Sequence, residues 1–337
     1  MLKTTHLFPA ALLSLSLVTL GVTQTAQAAE TPQCEVNRSV NIGGMTWESN
    51  LILAELESYI LQKGYGCKTD ILPTETLSAI AALERGDLDI KPEIWLNSER
   101  DPWEKAVASG KVKAIGSLFT GGEAWYIPKY TAEKYPDIKT PTDLLKYKDK
   151  FKDPEDPSKG RIFGCPAGWS CEVVTNNLHK ALKLNNDFNM YSPGTGAAQK
   201  AALMSAYKRK QDIAFYYWYP TPLVGSLDLV ELEMPAHDEK TFTCLTAIDC
   251  PDPQPSAYPT SPVYTGINVE FSKQAPKLTE FLSKITLPVD VLDAALARME
   301  ETGDEAGDIA KWFLKNHAET WTQWVPEDVA KRVQASL

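Results

Sequence analysis

The sequence lacks the motifs that mark the common classes of hydrolase, metalloprotease and nucleotide-binding enzyme. It contains no GxSxG, no HExxH and no GxxxxGKS/T, and no GxGxxG follows a predicted strand. It has 4 His residues and no CxxC pair, so ligands at the usual spacing of a protein metal site are missing. We therefore expect a protein without catalytic residues, metal or cofactor.

Basic residues are also fewer than acidic ones. Lys and Arg number 34 against 44 Asp and Glu, which gives a formal net charge of −10 at pH 7. Binding to nucleic acid or to an anionic lipid surface depends on basic side chains that neutralise phosphates. The composition therefore disfavours both as partners.

No apolar run approaches the roughly 20 residues that a membrane-spanning helix needs. The apolar segment near the N-terminus, from Leu12 to Leu20, is shorter, follows the basic Lys3 and precedes a small-x-small sequence at Ala26 to Ala28. This order is typical of a signal peptide. We predict a signal peptide over residues 1–29, cleaved after Ala28 or Ala29, and a periplasmic or otherwise exported protein.

All six cysteines lie after this segment. An even number of cysteines in an exported protein favours disulfides. Two pairs are close in sequence, and the third would then form by elimination; the predicted pairs are Cys165–Cys171, Cys244–Cys250 and Cys34–Cys67. A disulfide at Cys171 is favoured over a role for this thiol as a nucleophile.

The order of predicted elements indicates an α/β fold. A strand at 40–44, a helix, a strand at 69–72, a second helix and a strand ending near Trp95 give a β-α-β-α-β rhythm. This rhythm predicts a parallel sheet with covering helices, in which ligands bind beyond the carboxyl ends of the strands. The length suits two domains, and strand, loop and helix recur after the polar segment around 137–159.

Five tryptophans, spread over both halves of the chain, lie at predicted strand ends or in loops. They are Trp47, Trp95, Trp125, Trp169 and Trp218. Several aromatic faces around one point bind a quaternary ammonium by cation–π attraction. The alternative is ordinary packing, which we expect for the remaining four, since Trp103, Trp312, Trp321 and Trp324 lie in helical patterns.

The loop Gly164–Glu172 carries Trp169 between two cysteines and runs directly into a predicted helix. The first backbone N–H groups of a helix have no partner within it, so the start of this helix would attract an anionic or polar oxygen. An aromatic face beside such amides suits a zwitterion or dipolar molecule. The alternative is a stapled surface loop with a packed Trp.

Four acidic residues lie near these tryptophans in sequence: Glu48, Glu93, Glu99 and Glu123. Taken singly, each is expected to be a solvated acid at the rim of a cleft. Glu123, two residues before Trp125, is the strongest candidate for the site itself. An acid inside an aromatic cage would favour a cation and repel a carboxylate.

Four segments together resemble a known family. Gly164–Glu172 is similar to the Gly-Cys-x-Pro-Gly-Trp-x-Cys-Glu signature of substrate-binding proteins of ABC importers for glycine betaine, proline betaine and choline, with Pro166-Ala167 in place of the usual order. Residues 215–222 resemble the family's Tyr-Tyr-x-Trp-x-Pro segment. Residues 93–95 and 43–47 resemble its two earlier aromatic positions.

The resemblance implies a two-lobed periplasmic binding protein of type II, with a hinge and a ligand cleft between the lobes. It implies lobe one at 30–133 plus 263–337, and lobe two at 134–262. The cation-binding positions carry over to Trp47, Trp95, Trp169 and Trp218, and the anion-binding amides to Ser170 and Cys171. Betaine binders can carry a His where this chain has Glu99.

The function implied is delivery of a quaternary ammonium compound to an ABC permease by a monomeric binding protein. Glycine betaine ranks first among ligands by its frequency in the family, and choline and trimethylamine N-oxide follow. An enzyme built on the same scaffold and a chemosensory binding component are the rival classes. A catalytic constellation would distinguish the enzyme, and the sequence contains none that we can identify.

Overall fold

The computed structural model describes residues 1–2, 4–5 and 32–337. The apolar segment and cleavage site of the predicted signal peptide lie outside the described residues. Within 32–337, strands and helices alternate along the first half of the chain and helices dominate its last quarter. The strands are β1 (Val40–Gly44), β2 (Thr69–Pro73), β3 (Ile90–Trp95), β4 (Val112–Pro128), β5 (Gly160–Phe163), β6 (Phe188–Tyr191), β7 (Ala214–Tyr219), β8 (Leu229–Glu231) and β9 (Ser261–Asn268).

The helices cover the faces of the strands. They are α1 (Glu48–Tyr65), α2 (Thr76–Arg85), α3 (Leu96–Ala108), α4 (Lys129–Lys134), α5 (Ser170–Ala181), α6 (Gly196–Lys208), α7 (Pro222–Ser226), α8 (Glu239–Leu245), α9 (Val269–Gln274), α10 (Pro276–Lys284), α11 (Val289–Thr302), α12 (Ala306–Asn316), α13 (Ala318–Trp321) and α14 (Glu327–Ser336), with a 3-10 helix at Pro141–Lys150.

The strands form a mixed sheet rather than the wholly parallel one that the sequence rhythm predicts. Their order is β2-β1-β3-β9-β4-β7-β5-β6, with β8 beside β4. The strands of each α/β unit are parallel, as predicted: β1 with β2 and β3, and β5 with β6 and β7. The exceptions are β9, antiparallel to β3 and β4, and β4, antiparallel to β7 and β8. Both β4 and β9 lie outside residues 40–95, the segment whose β-α-β-α-β rhythm carried the parallel prediction.

Strand β4 joins the two halves of the sheet. Its residues from Val112 to Gly121 pair with β9, and those from Gly122 to Tyr126 pair with β7. The change of partner falls at the Gly121-Gly122 step. The predicted lobe boundary after residue 133 stays a prediction.

Helix α1 ends because Gly66 adopts a left-handed conformation, with φ of 71°, which glycine tolerates without strain. Its amide donates to the carbonyl of Leu61 to close the last turn. A Cβ at this position would lie 2.1 Å from the carbonyl oxygen of Pro32. A glycine at position 66 therefore allows the chain to leave α1 close to Pro32 and continue toward β2.

The three predicted disulfides are confirmed: Cys34–Cys67, Cys165–Cys171 and Cys244–Cys250. Trp103 and Trp321 are buried in the apolar core, as predicted, and so is Trp324. Among the described helices, none has the length and apolar character needed to cross a membrane.

Candidate ligand-binding site

Four of the five candidate tryptophans line one cavity at the carboxyl ends of the strands. Trp47 follows β1, Trp95 ends β3, Trp169 precedes α5 in the loop after β5, and Trp218 lies near the end of β7. β1 is parallel to β3, and β5 is parallel to β7, so each pair presents its carboxyl ends at one edge, and the cavity lies where these two edges meet. The fold thus brings together the two predicted halves of an aromatic cage, although binding by these residues stays a prediction.

The rings touch each other edge to face. The ring centroids of Trp47 and Trp169 are 4.7 Å apart with planes at 64°, and those of Trp169 and Trp218 are 5.1 Å apart at 70°. Trp218 also stacks on Tyr217 at 4.3 Å. Steeply angled neighbouring rings turn different faces toward a common point, which is the arrangement that surrounds a compact cation.

The start of helix α5 forms a second wall of the cavity. Trp169 is its N-cap residue, and Ser170 and Cys171 open its first turn and line the cavity. The disulfide to Cys165 closes the loop, and the Gly168 amide donates to the carboxylate of Glu172 at 2.8 Å. The first turn therefore offers backbone N–H groups to an oxygen atom near the tryptophans.

A carboxylate behind the cage orients two of its rings. The Nε1–H groups of Trp47 and Trp95 both donate to Oε2 of Glu93, each at 2.7 Å. Glu93 is fully buried, and burial raises the pKa of its carboxyl, while the indole N–H groups of Trp95 and Trp47 oppose that rise. One residue therefore couples the strand ends of β1 and β3.

Glu99, in the position where betaine binders can carry a His, forms a buried ion pair. Its carboxylate oxygens accept from Nζ of Lys91 at 2.9 and 3.0 Å, and Lys91 also donates to the backbone carbonyl of Glu93. Burial raises the pKa of Glu99, and the charge of Lys91 opposes the rise. Glu99, which lines the cavity, is therefore the residue whose negative charge pairs with Lys91.

Glu123 faces the cavity with a carboxyl that can carry a proton near neutrality. Burial raises its pKa to about 7, and the hydrogen bond from Tyr216 opposes the rise. The Tyr216 hydroxyl donates to Oε1 at 2.5 Å, while Oε2 is buried with no hydrogen-bond partner among the described residues. The free oxygen accepts a hydrogen bond when ionised and donates one when protonated.

The expectation of solvated rim acids is wrong for Glu93, Glu99 and Glu123, all of which are buried. It fails because each carboxyl has partners that come from other parts of the chain. Glu48 fits the expectation better, since it is partly exposed and pairs with Lys200 at 3.1 Å.

Trp125 does not lie among the residues that line the cavity in the described part of the chain. It is buried on β4 two residues from Glu123, so it lies on the same side of the strand. Its role in binding stays a prediction.

Sequence reasoning missed three polar residues that line the same cavity: Thr76, Ser98 and Tyr216. Tyr216 lies two residues from Trp218 on β7, so period-2 alternation would have placed both on one face. Ser98 follows Trp95 by three residues at the start of α3, and helical spacing was the available signal.

The mixed sheet and its covering helices have the fold of two-lobed periplasmic binding proteins. Three solved structures share the fold. A choline-binding protein of an ABC transporter, in complex with choline, matches with a TM-score of 0.72 and 15% identity, over 88% of this chain and 97% of that chain. A glycine betaine/L-proline-binding protein from Borrelia burgdorferi matches with a TM-score of 0.70 and 18% identity, over 88% of this chain and 100% of that chain. Lactococcal OpuAC, in its closed conformation with glycine betaine, matches with a TM-score of 0.68 and 18% identity, over 86% of this chain and 100% of that chain.

The family model described as the substrate-binding domain of ABC-type glycine betaine transport systems matches residues 38–316. The chain belongs to this family of transport binding proteins, whose members are typically periplasmic or exported. No curated protein matches the sequence.

Proposed function

We propose that the protein binds a compact methylated ammonium compound in the tryptophan cage and delivers it to an ABC permease. The observation that carries this proposal is that four indole rings converge on one cavity whose other side chains are neutral or acidic. No Lys, Arg or His is among the described residues that line it. A cation is attracted by both the ring faces and the carboxylates.

Choline and trimethylamine N-oxide are the best-supported ligands, because each carries one small oxygen close to the ammonium. The free oxygen of Glu123 accepts a hydrogen bond from the choline hydroxyl when the carboxyl is ionised. When it is protonated, it donates to the oxygen of the N-oxide. A pKa of about 7 makes either state accessible near neutral pH.

Glycine betaine is the second candidate. The amides at the start of α5 and the Ser170 hydroxyl, which has no partner among the described residues, suit its carboxylate. The Glu123 carboxyl in the same cavity opposes it when ionised, because like charges in a partly dry cleft repel, whereas the charge of Glu99 is paired with Lys91. Choline avoids that repulsion, and the N-oxide lessens it because its oxygen carries only part of a charge.

Calorimetric titration of ligand-free protein at pH 6 and pH 8.5 tests this proposal. We expect choline and trimethylamine N-oxide to bind more tightly than glycine betaine at pH 8.5. Choline should bind more tightly as pH rises through 7, and the N-oxide less tightly. Glu123→Gln should remove both pH dependences. Betaine binding at least tenfold tighter than either compound would contradict the preference, and no binding of any of the three would contradict the function.

The remaining parts of the proposal concern the protein around this site. We propose that residues 30–133 and 263–337 form lobe one and 134–262 lobe two, joined by a hinge. We propose that the mature protein is a periplasmic monomer, freed from a signal peptide near Ala28, and that it is not an enzyme. Binding without turnover of the ligand, followed by mass spectrometry, checks the last point.

A further inference from the structure

The two indoles that share one carboxylate oxygen set Glu93 apart from the other acids near the cavity. Indole N–H groups are donors only, and each of these two donates to Oε2 of Glu93 at 2.7 Å. Trp47 and Trp95 line the cavity, while Glu93 does not. The carboxylate therefore acts on any ligand through the two rings in front of it.

The neighbouring lysine does not contact this carboxylate. Nζ of Lys91 contacts the carboxylate of Glu99 and the backbone carbonyl of Glu93, and every one of these groups is buried. The hydrogen bonds of the Glu93 side chain to the rings are charge-assisted, which makes them stronger than neutral ones. Because they draw the indole protons toward a negative charge, they leave more electron density on the ring faces.

A ring face with more electron density attracts a cation more strongly and leaves a neutral ligand of the same shape unaffected. We propose that Glu93 is a positioning residue that fixes the Trp47 and Trp95 rings and, through its charge, makes the cage select a cation over a neutral molecule of the same shape. This inference rests on the proposed function and names the group that gives the site its charge selectivity.

The test compares choline with 3,3-dimethyl-1-butanol, in which carbon replaces the ammonium nitrogen. Glu93→Gln keeps an oxygen that accepts from both indoles but removes the charge. We expect it to lower the preference for choline over the neutral alcohol at least threefold and to change affinity for the alcohol less than twofold. Glu93→Leu removes the acceptor as well, so it should weaken binding of both ligands.

Glu57→Gln is the matched control. Glu57 is also fully buried, but neither of its carboxyl oxygens has a hydrogen-bond partner among the described residues, so it holds no indole ring in place. Its replacement should leave the preference for choline unchanged. Equal weakening of both ligands by Glu93→Gln, or no change in either, would overturn the inference.

A measurement on the unmodified protein covers the case in which the Glu93 variants do not fold. In NMR spectra of protein labelled with 15N at the indole nitrogens, the Nε1–H protons of Trp47 and Trp95 should lie downfield of those of the other tryptophans, assigned by Trp→Phe variants. Shifts within the range of the other indoles would refute the charge-assisted bonds. Wild-type protein that binds no choline would instead count against the proposed function.

Discussion

The two halves of the cage are held in place by different means. Trp47 and Trp95, at the ends of β1 and β3, are fixed by hydrogen bonds to one buried carboxylate. Trp169 and Trp218 are fixed by packing: Trp218 stacks on Tyr217, and Trp169 lies between the edges of Trp47 and Trp218. The first half is oriented by directional bonds, and the second by ring contacts and a disulfide-closed loop. Changes in the second half should therefore alter shape, whereas changes in the first should alter charge preference.

The largest effect is expected where a ring of the second half is removed. Trp218→Ala deletes a wall that also supports Trp169, so affinity for choline should fall at least tenfold, which corresponds to about 1.4 kcal/mol. Calorimetric titration measures the change. Trp312→Ala is the control, since Trp312 packs beside His317 on α12. Unchanged affinity in alanine variants of all four cage tryptophans would exclude the cage.

A smaller effect is expected when the loop of the second half is released. Replacing Cys165 and Cys171 together by Ser should lower affinity for choline by roughly threefold to tenfold, because the amides at the start of α5 lose their fixed position. The loop cross-link is worth roughly 2 kcal/mol by the chain-entropy model, so the melting temperature should also fall. The Cys34–Cys67 pair, replaced in the same way, is the control and should leave affinity unchanged. Equal affinity in both double variants would show that packing alone holds this wall.

The protonation of Glu123 gives a stability difference that depends on pH. Its pKa rises from an ordinary 4.5 to about 7 in the folded protein, so the folded state binds more protons than the unfolded state between those values. Stability from this group is therefore present in full below pH 4.5 and is lost as pH rises through 7. Glu123→Gln should be more stable than wild type at pH 8, with the difference shrinking toward pH 4.5.

Thermal melts of both proteins across this range measure the difference, and Glu301→Gln, at an exposed position, is the control. A difference in melting temperature that does not vary with pH would contradict the assignment of Glu123 as a group that titrates near neutrality.

The smallest effect is expected from an ion pair between the proposed lobes. Nζ of Lys200 on α6 contacts Glu48 at 3.1 Å and also contacts Glu300, and both acids lie in proposed lobe one. Such partly exposed pairs contribute about 0–1 kcal/mol and are screened by salt. Lys200→Met should lower affinity for choline about twofold to threefold at low salt, and the difference should vanish at high salt.

Lys146→Met removes the same charge from a pair with Asp143, 3.0 Å away on the 3-10 helix within proposed lobe two, and is the control for this change. An effect of Lys200→Met that persists at high salt would argue against an electrostatic contact between lobes.

Much of the site could be predicted because the position of each tryptophan relative to its neighbouring strand or helix can be read from a short stretch of sequence. Trp47 and Trp95 follow strands, and Trp169 lies before a helix start, so the rule that ligands meet the carboxyl ends of strands was enough to group them. The disulfide pairs were also predictable, because two of the three close short loops. The antiparallel placement of β9 was not predictable, since it depends on contacts between residues far apart in the chain.

The hydrogen-bond partners of the buried acids could not be predicted from the sequence either. Glu93 and Trp47 are 46 residues apart, and Glu123 and Tyr216 are 93 apart. Composition alone predicts that a carboxylate is solvated, because burial of an unpaired charge is costly. Only the fold supplies the donors that make burial of these carboxyls tolerable, and so the rim-acid prediction failed at the residues most relevant to ligand choice.

A crystal structure of the choline complex tests the central claim most directly. We expect the ammonium within about 6 Å of the ring centroids of the four cage tryptophans, with the hydroxyl oxygen within hydrogen-bond distance of Glu123. The indole N–H groups of Trp47 and Trp95 should still donate to Glu93. Choline bound elsewhere, or in contact with the rings of only one half of the cage, would contradict the account.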